Sequence, residues 1–89
     1  MSTEALELAL YDLGVRRDMR TAFAQDAPAL LARYALDAHE AALITGFDVA
    51  GLQKAGVSPL LTYGFWLMNA PERTRAAYLA RLRAGAATS

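Results

Sequence analysis

His39 is the one histidine in the chain, and Asp37 and Glu40 flank it, so Asp37-Ala38-His39-Glu40 is where acid–base work or a metal ligand set would first be sought. The two carboxylates have a competing use. An aspartate followed three residues later by a glutamate is the spacing of a capping box, in which the first side chain accepts from the amide three residues on and the glutamate reaches back. That use accounts for both acids and leaves His39 as a surface residue without ligand partners. Ser58 stands directly before Pro59, the pattern of a cap followed by a helix-starting proline, and no nucleophile-elbow sequence surrounds it. Ser2 and Ser89 lie at the chain ends, and the glycines are spaced as helix stops rather than as a phosphate cradle. An enzyme built from Tyr63, His39 or the arginines would need a pattern that is not there. We therefore expect no catalytic residue, no metal site and no cofactor within this chain.

What remains is a surplus of apolar residues. They make up 55% of only 89 residues. A chain of this size hides about 60–65% of its unfolded surface on folding, and it has no cysteine for a disulfide staple. Either the core is dense in alanine and leucine, or some apolar surface is kept for a partner. Nine basic residues, eight of them arginine, balance nine acidic ones and alternate with them along the chain. No strong positive field is expected for nucleic acid or an anionic membrane. The start Met1-Ser2-Thr3-Glu4 lacks the basic, then apolar, character of a signal peptide, and no run approaches the roughly 20 apolar residues of a membrane span. A cytoplasmic protein is expected.

The elements that must position these residues read as an all-α bundle of about five to six short helices with no sheet. The first runs from Thr3 to Leu13, capped by Ser2 or Thr3, with Gly14 as its stop. A second spans about Arg16 to Ala24, with Met19 and Phe23 on one side. Asp26 before Ala27-Pro28 caps a third, reaching about Tyr34. The Asp37–Glu40 box opens a fourth that carries Ala41, Leu43 and Ile44 and ends at Gly46. Asp48 opens a short fifth segment with Val49, Leu52 and Ala55 inward, closed by Gly56. Ser58-Pro59 starts the segment through Met68, and Asn69-Ala70-Pro71 starts the last helix, ending near Ala84 with Gly85 after it. Residues 1–85 form one helical domain, and 86–89 a frayed tail.

The informative stretch is Ser58 to Met68. Its apolar residues go all the way round a helical wheel, which makes it either central to the core or shared between core and partner. A chain of 89 residues can scarcely surround a helix. Tyr63, Phe65, Trp66 and Leu67 are accordingly the candidates for a partner-facing surface, and Tyr, Trp and Met are types enriched at interfaces. Gly64 is either a place for close approach of another backbone or a tolerated weak spot.

The run Leu30-Leu31-Ala32-Arg33-Tyr34-Ala35-Leu36-Asp37-Ala38-His39-Glu40-Ala41-Ala42-Leu43-Ile44, followed by Gly46 to Leu61, resembles the small (alpha) subunit of protocatechuate 4,5-dioxygenase-type extradiol enzymes, the LigA-like family. The shared pattern is the acid-capped helix Asp37–Glu40, the aspartate-opened helix from Asp48 to Leu52, and the ordered Gly56-Val57-Ser58-Pro59-Leu60-Leu61. It covers roughly residues 15 to 70. The resemblance implies a non-catalytic subunit that packs over a larger chain bearing non-haem iron(II) and the catalytic base, helping to enclose a catecholic substrate whose ring is opened with molecular oxygen. It implies that the partner-facing residues follow Gly56. Family members acting as separate subunits are usually longer, with terminal segments that wrap the large subunit. The alternative is a stand-alone helical interaction module, self-associating, that shares the fold without a role in ring cleavage.

Overall fold

Four side chains start four helices, each by accepting a hydrogen bond from an amide two or three residues on. Asp26 accepts from the Ala29 N–H (3.2 Å), Asp48 from Gly51 (2.9 Å) and Ser58 from Leu60 (3.2 Å). At Asp37 the box is complete: its carboxylate accepts from the Glu40 amide at 2.8 Å, and Glu40 Oε1 accepts from the Asp37 amide at 2.9 Å. Such caps satisfy amides that the helix itself leaves without partners.

The structure, a computed structural model, describes residues 3–88, with side chains through residue 85. Among them are α1 (Thr3–Val15), α2 (Arg17–Gln25), α3 (Ala27–Leu31), α4 (Ala38–Thr45), α5 (Val49–Lys54), α6 (Pro59–Asn69) and α7 (Arg75–Thr88), with no strand among the described residues. The all-α class is as expected, with seven helices in place of five to six. Among the described residues no helix is long and apolar enough to cross a membrane.

Several boundaries differ from the sequence expectation, each for a physical reason. Helix α1 runs through Gly14 to Val15. Its last carbonyls find side-chain donors there: Asn69 Nδ2 on Leu13 O (3.0 Å) and an Arg20 guanidinium N–H on Gly14 O (3.3 Å). Of its two expected caps, Ser2 lies outside the described residues. Asn69 does not open the last helix. It closes α6, where the same amide nitrogen also donates to Phe65 O (3.0 Å). Helix α7 starts later, at Arg75, because Thr74 supplies the cap: its Oγ1 accepts from the Ala77 amide at 3.1 Å. Glu72 thus precedes the helix, and no acid stands in its first turn. Gly85 sits inside α7, whose helical backbone continues to Thr88 across the segment expected to be a tail. A Cβ at Gly85 would collide with that of Ala50, so the glycine lets α7 lie close on α5. Helix α3 ends at Leu31, short of Tyr34.

Helices α4 and α5 end in the same Schellman geometry with different residues. After α5, the Gly56 amide donates to Gln53 O and the Val57 amide to Leu52 O, with Gly56 at φ 101°. After α4, Phe47 donates to Ile44 O and Asp48 to Leu43 O, and the left-handed residue is Phe47 (φ 52°) rather than Gly46.

The core has two connected parts. The larger gathers Leu6, Leu10 and Leu13 of α1 with Phe23, Leu30, Ile44, Leu52 and Phe65. The smaller joins Val49, Trp66, Ala70 and Tyr78 beneath α7. Phe47 links them, with its ring against Phe23, Phe65 and Trp66.

Candidate functional site

Helix α6 presents two different faces, and the division is not the one its residue types suggest. Phe65 is fully buried and Trp66 is 4% exposed. Both belong to the core, so neither offers a partner surface, which corrects the expectation for those two residues. Tyr63 and Leu67 are half-buried, and the Tyr63 ring packs on Tyr78 with centroids 4.7 Å apart. Trp66 Nε1 is buried without an acceptor among the described residues. The indole thus serves packing rather than recognition.

The outward face of α6 is set by Leu60, 81% exposed in the first turn. Across from it, Leu8, Tyr11 and Val15 of α1 are each more than half exposed (55%, 53% and 56%). Their spacing of three and four residues places them on one stripe of the helix. The inward stripe of α1 is Leu6, Ala9, Leu10 and Leu13, all buried. This helix is therefore apolar on two sides with one core to fill. Between α1 and α6 lies a groove of about 230 Å³, walled by Tyr11, Val15, Leu60 and Leu61, with Gly14 and Gly64 also lining it. A Cβ at Gly64 would meet nothing within 4 Å, so no close backbone approach requires the glycine. Leu8, Tyr11, Val15 and Leu60 give no sequence signal as a surface, because leucines at these spacings look like core.

The residues considered for chemistry are occupied otherwise. His39 is exposed at the rim of a hollow that it shares with Glu40, Asp48 and Lys54. The Glu40 and Asp48 carboxylates each accept a backbone N–H as part of a helix start. Ser58 accepts from the Leu60 amide. Among the described residues no group of three His, Cys, Asp or Glu side chains is placed to hold a metal ion. The one group whose proton affinity shifts strongly is the Tyr34 phenol. Partial burial pushes it up first, and its donation to Asp12 Oδ2 at 2.7 Å, with the negative charge there, pushes it further. It joins the loop after α3 to α1.

The fold defines a small all-α protein with an apolar groove between α1 and α6. Compared with known proteins, the chain matches no family model, no curated protein and no solved structure.

Proposed function

We propose that this chain acts by docking onto another protein through the apolar stripe Leu8, Tyr11, Val15 and Leu60, as the non-catalytic small subunit of an extradiol ring-cleaving dioxygenase of the LigA-like kind. The observation that carries docking is the stripe itself. Four large apolar side chains stay in water on a chain whose core is already filled, at a cost that burial in an interface would recover at about 25 cal/mol per Å². The dioxygenase assignment rests on the ordered motif from Asp37 to Leu61. Helix starts at Asp37, Asp48 and Ser58 and a stop at Gly56 support that reading. Leu60 lies within the Gly56–Leu61 segment, so the resemblance and the exposed surface point to the same end of α6. In this reading the partner is a larger cytoplasmic chain holding non-haem iron(II), and the present chain helps to close the catecholic substrate's site. The same stripe, free of charged side chains, also suits a second copy, which supports self-association as the second reading.

Affinity purification from the native host with wild-type and Leu60→Asp baits tests both readings. Recovery of a larger iron-containing chain that opens protocatechuate-like catechols faster with this subunit present, and its loss with Leu60→Asp, is the expected result. A defined homo-oligomer that Leu60→Asp dissociates would replace the dioxygenase reading with the second. Undiminished recovery by a folded Leu60→Asp bait would remove the stripe from the argument.

A further inference from the structure

A second groove lies where α2 meets the C-terminal end of α6, with a volume of about 540 Å³. Its walls carry Arg17, Arg20 and Arg73, and its apolar part is Phe23, Phe47 and Met68. Arg20 and Arg73 are held by backbone carbonyls: a guanidinium N–H of Arg20 donates to Gly14 O (3.3 Å), and Arg73 Nε donates to Ala70 O (3.1 Å). Each uses one of five N–H donors in this way, and the rest of the planar fork remains for an acceptor. The only ion pair among the described residues joins Arg16 to Asp18 at 3.1 Å. None of the three groove arginines has a carboxylate within salt-bridge reach among the described residues. The nearby acids are engaged or turned elsewhere: Asp18 takes Arg16, Asp12 takes the Tyr34 hydroxyl, and Glu72 lines a separate hollow beside Trp66 and Arg81. In a chain of zero net charge, three unpaired guanidinium groups around one apolar floor are a local excess that a partner would neutralise.

We propose that this groove receives an acidic segment of the partner protein, with carboxylates on Arg17, Arg20 and Arg73 and an apolar side chain over Phe47 and Met68. Guanidinium forks match carboxylates two bonds at a time, and the open shape suits a peptide strand lying across it better than a small molecule needing enclosure. The groove adjoins the end of α1, since Arg20 bonds Gly14, which also lines the apolar groove. One partner could therefore span both. The inference deepens the docking reading and rests on it for its use. The test below reads this groove alone, so either can fail without the other.

The probe is an N-acetylated, C-amidated pentapeptide, Asp-Glu-Phe-Glu-Asp, titrated into the ¹⁵N-labelled chain while amide shifts are followed. The neutral Asn-Gln-Phe-Gln-Asn peptide and benzoate are run beside it. Saturable shifts confined to residues 17–24, 47 and 68–73 are expected, weakening several-fold between roughly 20 and 200 mM salt as charge pairing requires. Arg17→Ser, at an exposed position, should weaken binding, and Arg17→Ser with Arg73→Ser should weaken it at least about tenfold, both with the remaining spectrum unchanged. Should the double variant unfold, the single variant and the salt dependence decide. Absence of saturable shifts, equal binding of the neutral peptide, or affinity unchanged by the arginine variants would overturn the proposal. Saturation by benzoate alone would replace the peptide with a small aromatic acid and also overturn it.

Discussion

Phe47 stacks on Phe65, with ring centroids 5.2 Å apart and planes 14° from parallel, and it does so from a left-handed backbone at φ 52°. A residue with a Cβ pays about 1–2 kcal/mol to stand there. The Schellman turn after α4 needs a left-handed residue, and Phe47 fills that place while its ring joins the two parts of the core. Ring and backbone thus pull in opposite directions on stability.

Truncation at this position separates the two effects. Phe47→Ala and Phe47→Gly both lose the contacts of this half-buried ring with Phe23, Phe65 and Trp66, a loss common to the two. Only the glycine variant is freed of the left-handed strain. Phe47→Gly should be the more stable of the pair by about 1 kcal/mol in urea denaturation. The reverse order would mean that the turn relaxes when the ring is gone.

Trp66 is the chain's single tryptophan and is buried against Phe47 and Tyr78. Its fluorescence should be blue-shifted in the native state and move red on unfolding. Trp66→Ala should cost about 3–5 kcal/mol, enough to unfold most of a chain this small. Trp66→Phe, which also removes the unpartnered Nε1–H, should cost much less. A folded Trp66→Ala variant that loses only partner binding would contradict the buried placement.

Gly64→Ala should raise stability and lower docking together. The new methyl has open space, and alanine is favoured over glycine inside a helix by about 0.5–1 kcal/mol. It also projects toward the groove lined by Tyr11 and Leu60. A higher melting temperature with weakened partner recovery is the expected pair of results. A stabilised variant with undiminished recovery would detach the groove from docking.

The Tyr34 phenol sets an alkaline limit. Its native-state pKa lies above the ordinary value of 10.0, raised by partial burial and by the hydrogen bond to Asp12. The folded chain therefore holds this proton more tightly than the unfolded chain. The associated stability is complete below the unfolded pKa and is lost as pH rises through the folded one. Unfolding midpoints should fall above about pH 10, and Tyr34→Phe should flatten that fall. Ultraviolet titration should show the Tyr34 phenol ionising well after an ordinary tyrosine, with Tyr78, which burial also raises, ionising late as well. If Tyr34→Phe leaves the pH profile unchanged, the Asp12 contact does not act in solution.

The sequence by itself determined the helix starts at Asp26, Asp37, Asp48 and Ser58 and the stop at Gly56, because a cap is settled within two or three residues of its own backbone. It also determined the all-α class, through the absence of alternation and the density of such caps. Local pattern failed where a distant element competes for the same groups. Gly85 reads as a stop, but the room it leaves against Ala50 keeps it inside α7. Asn69 reads as a start, but its amide reaches the carbonyls of Leu13 and Phe65 and ends α6 instead. The candidate surface follows the same rule. A helix apolar all round, such as α6, carries no internal sign of which side turns inward. Only the packing of α1, α2 and α5 against it, with Tyr78 of α7 on Trp66, buried Phe65 and Trp66 and left Leu60 in water. Arg17, Arg20 and Arg73 lie more than fifty residues apart at the extremes of that set, and only the meeting of α2 with the end of α6 gathers their charge in one groove.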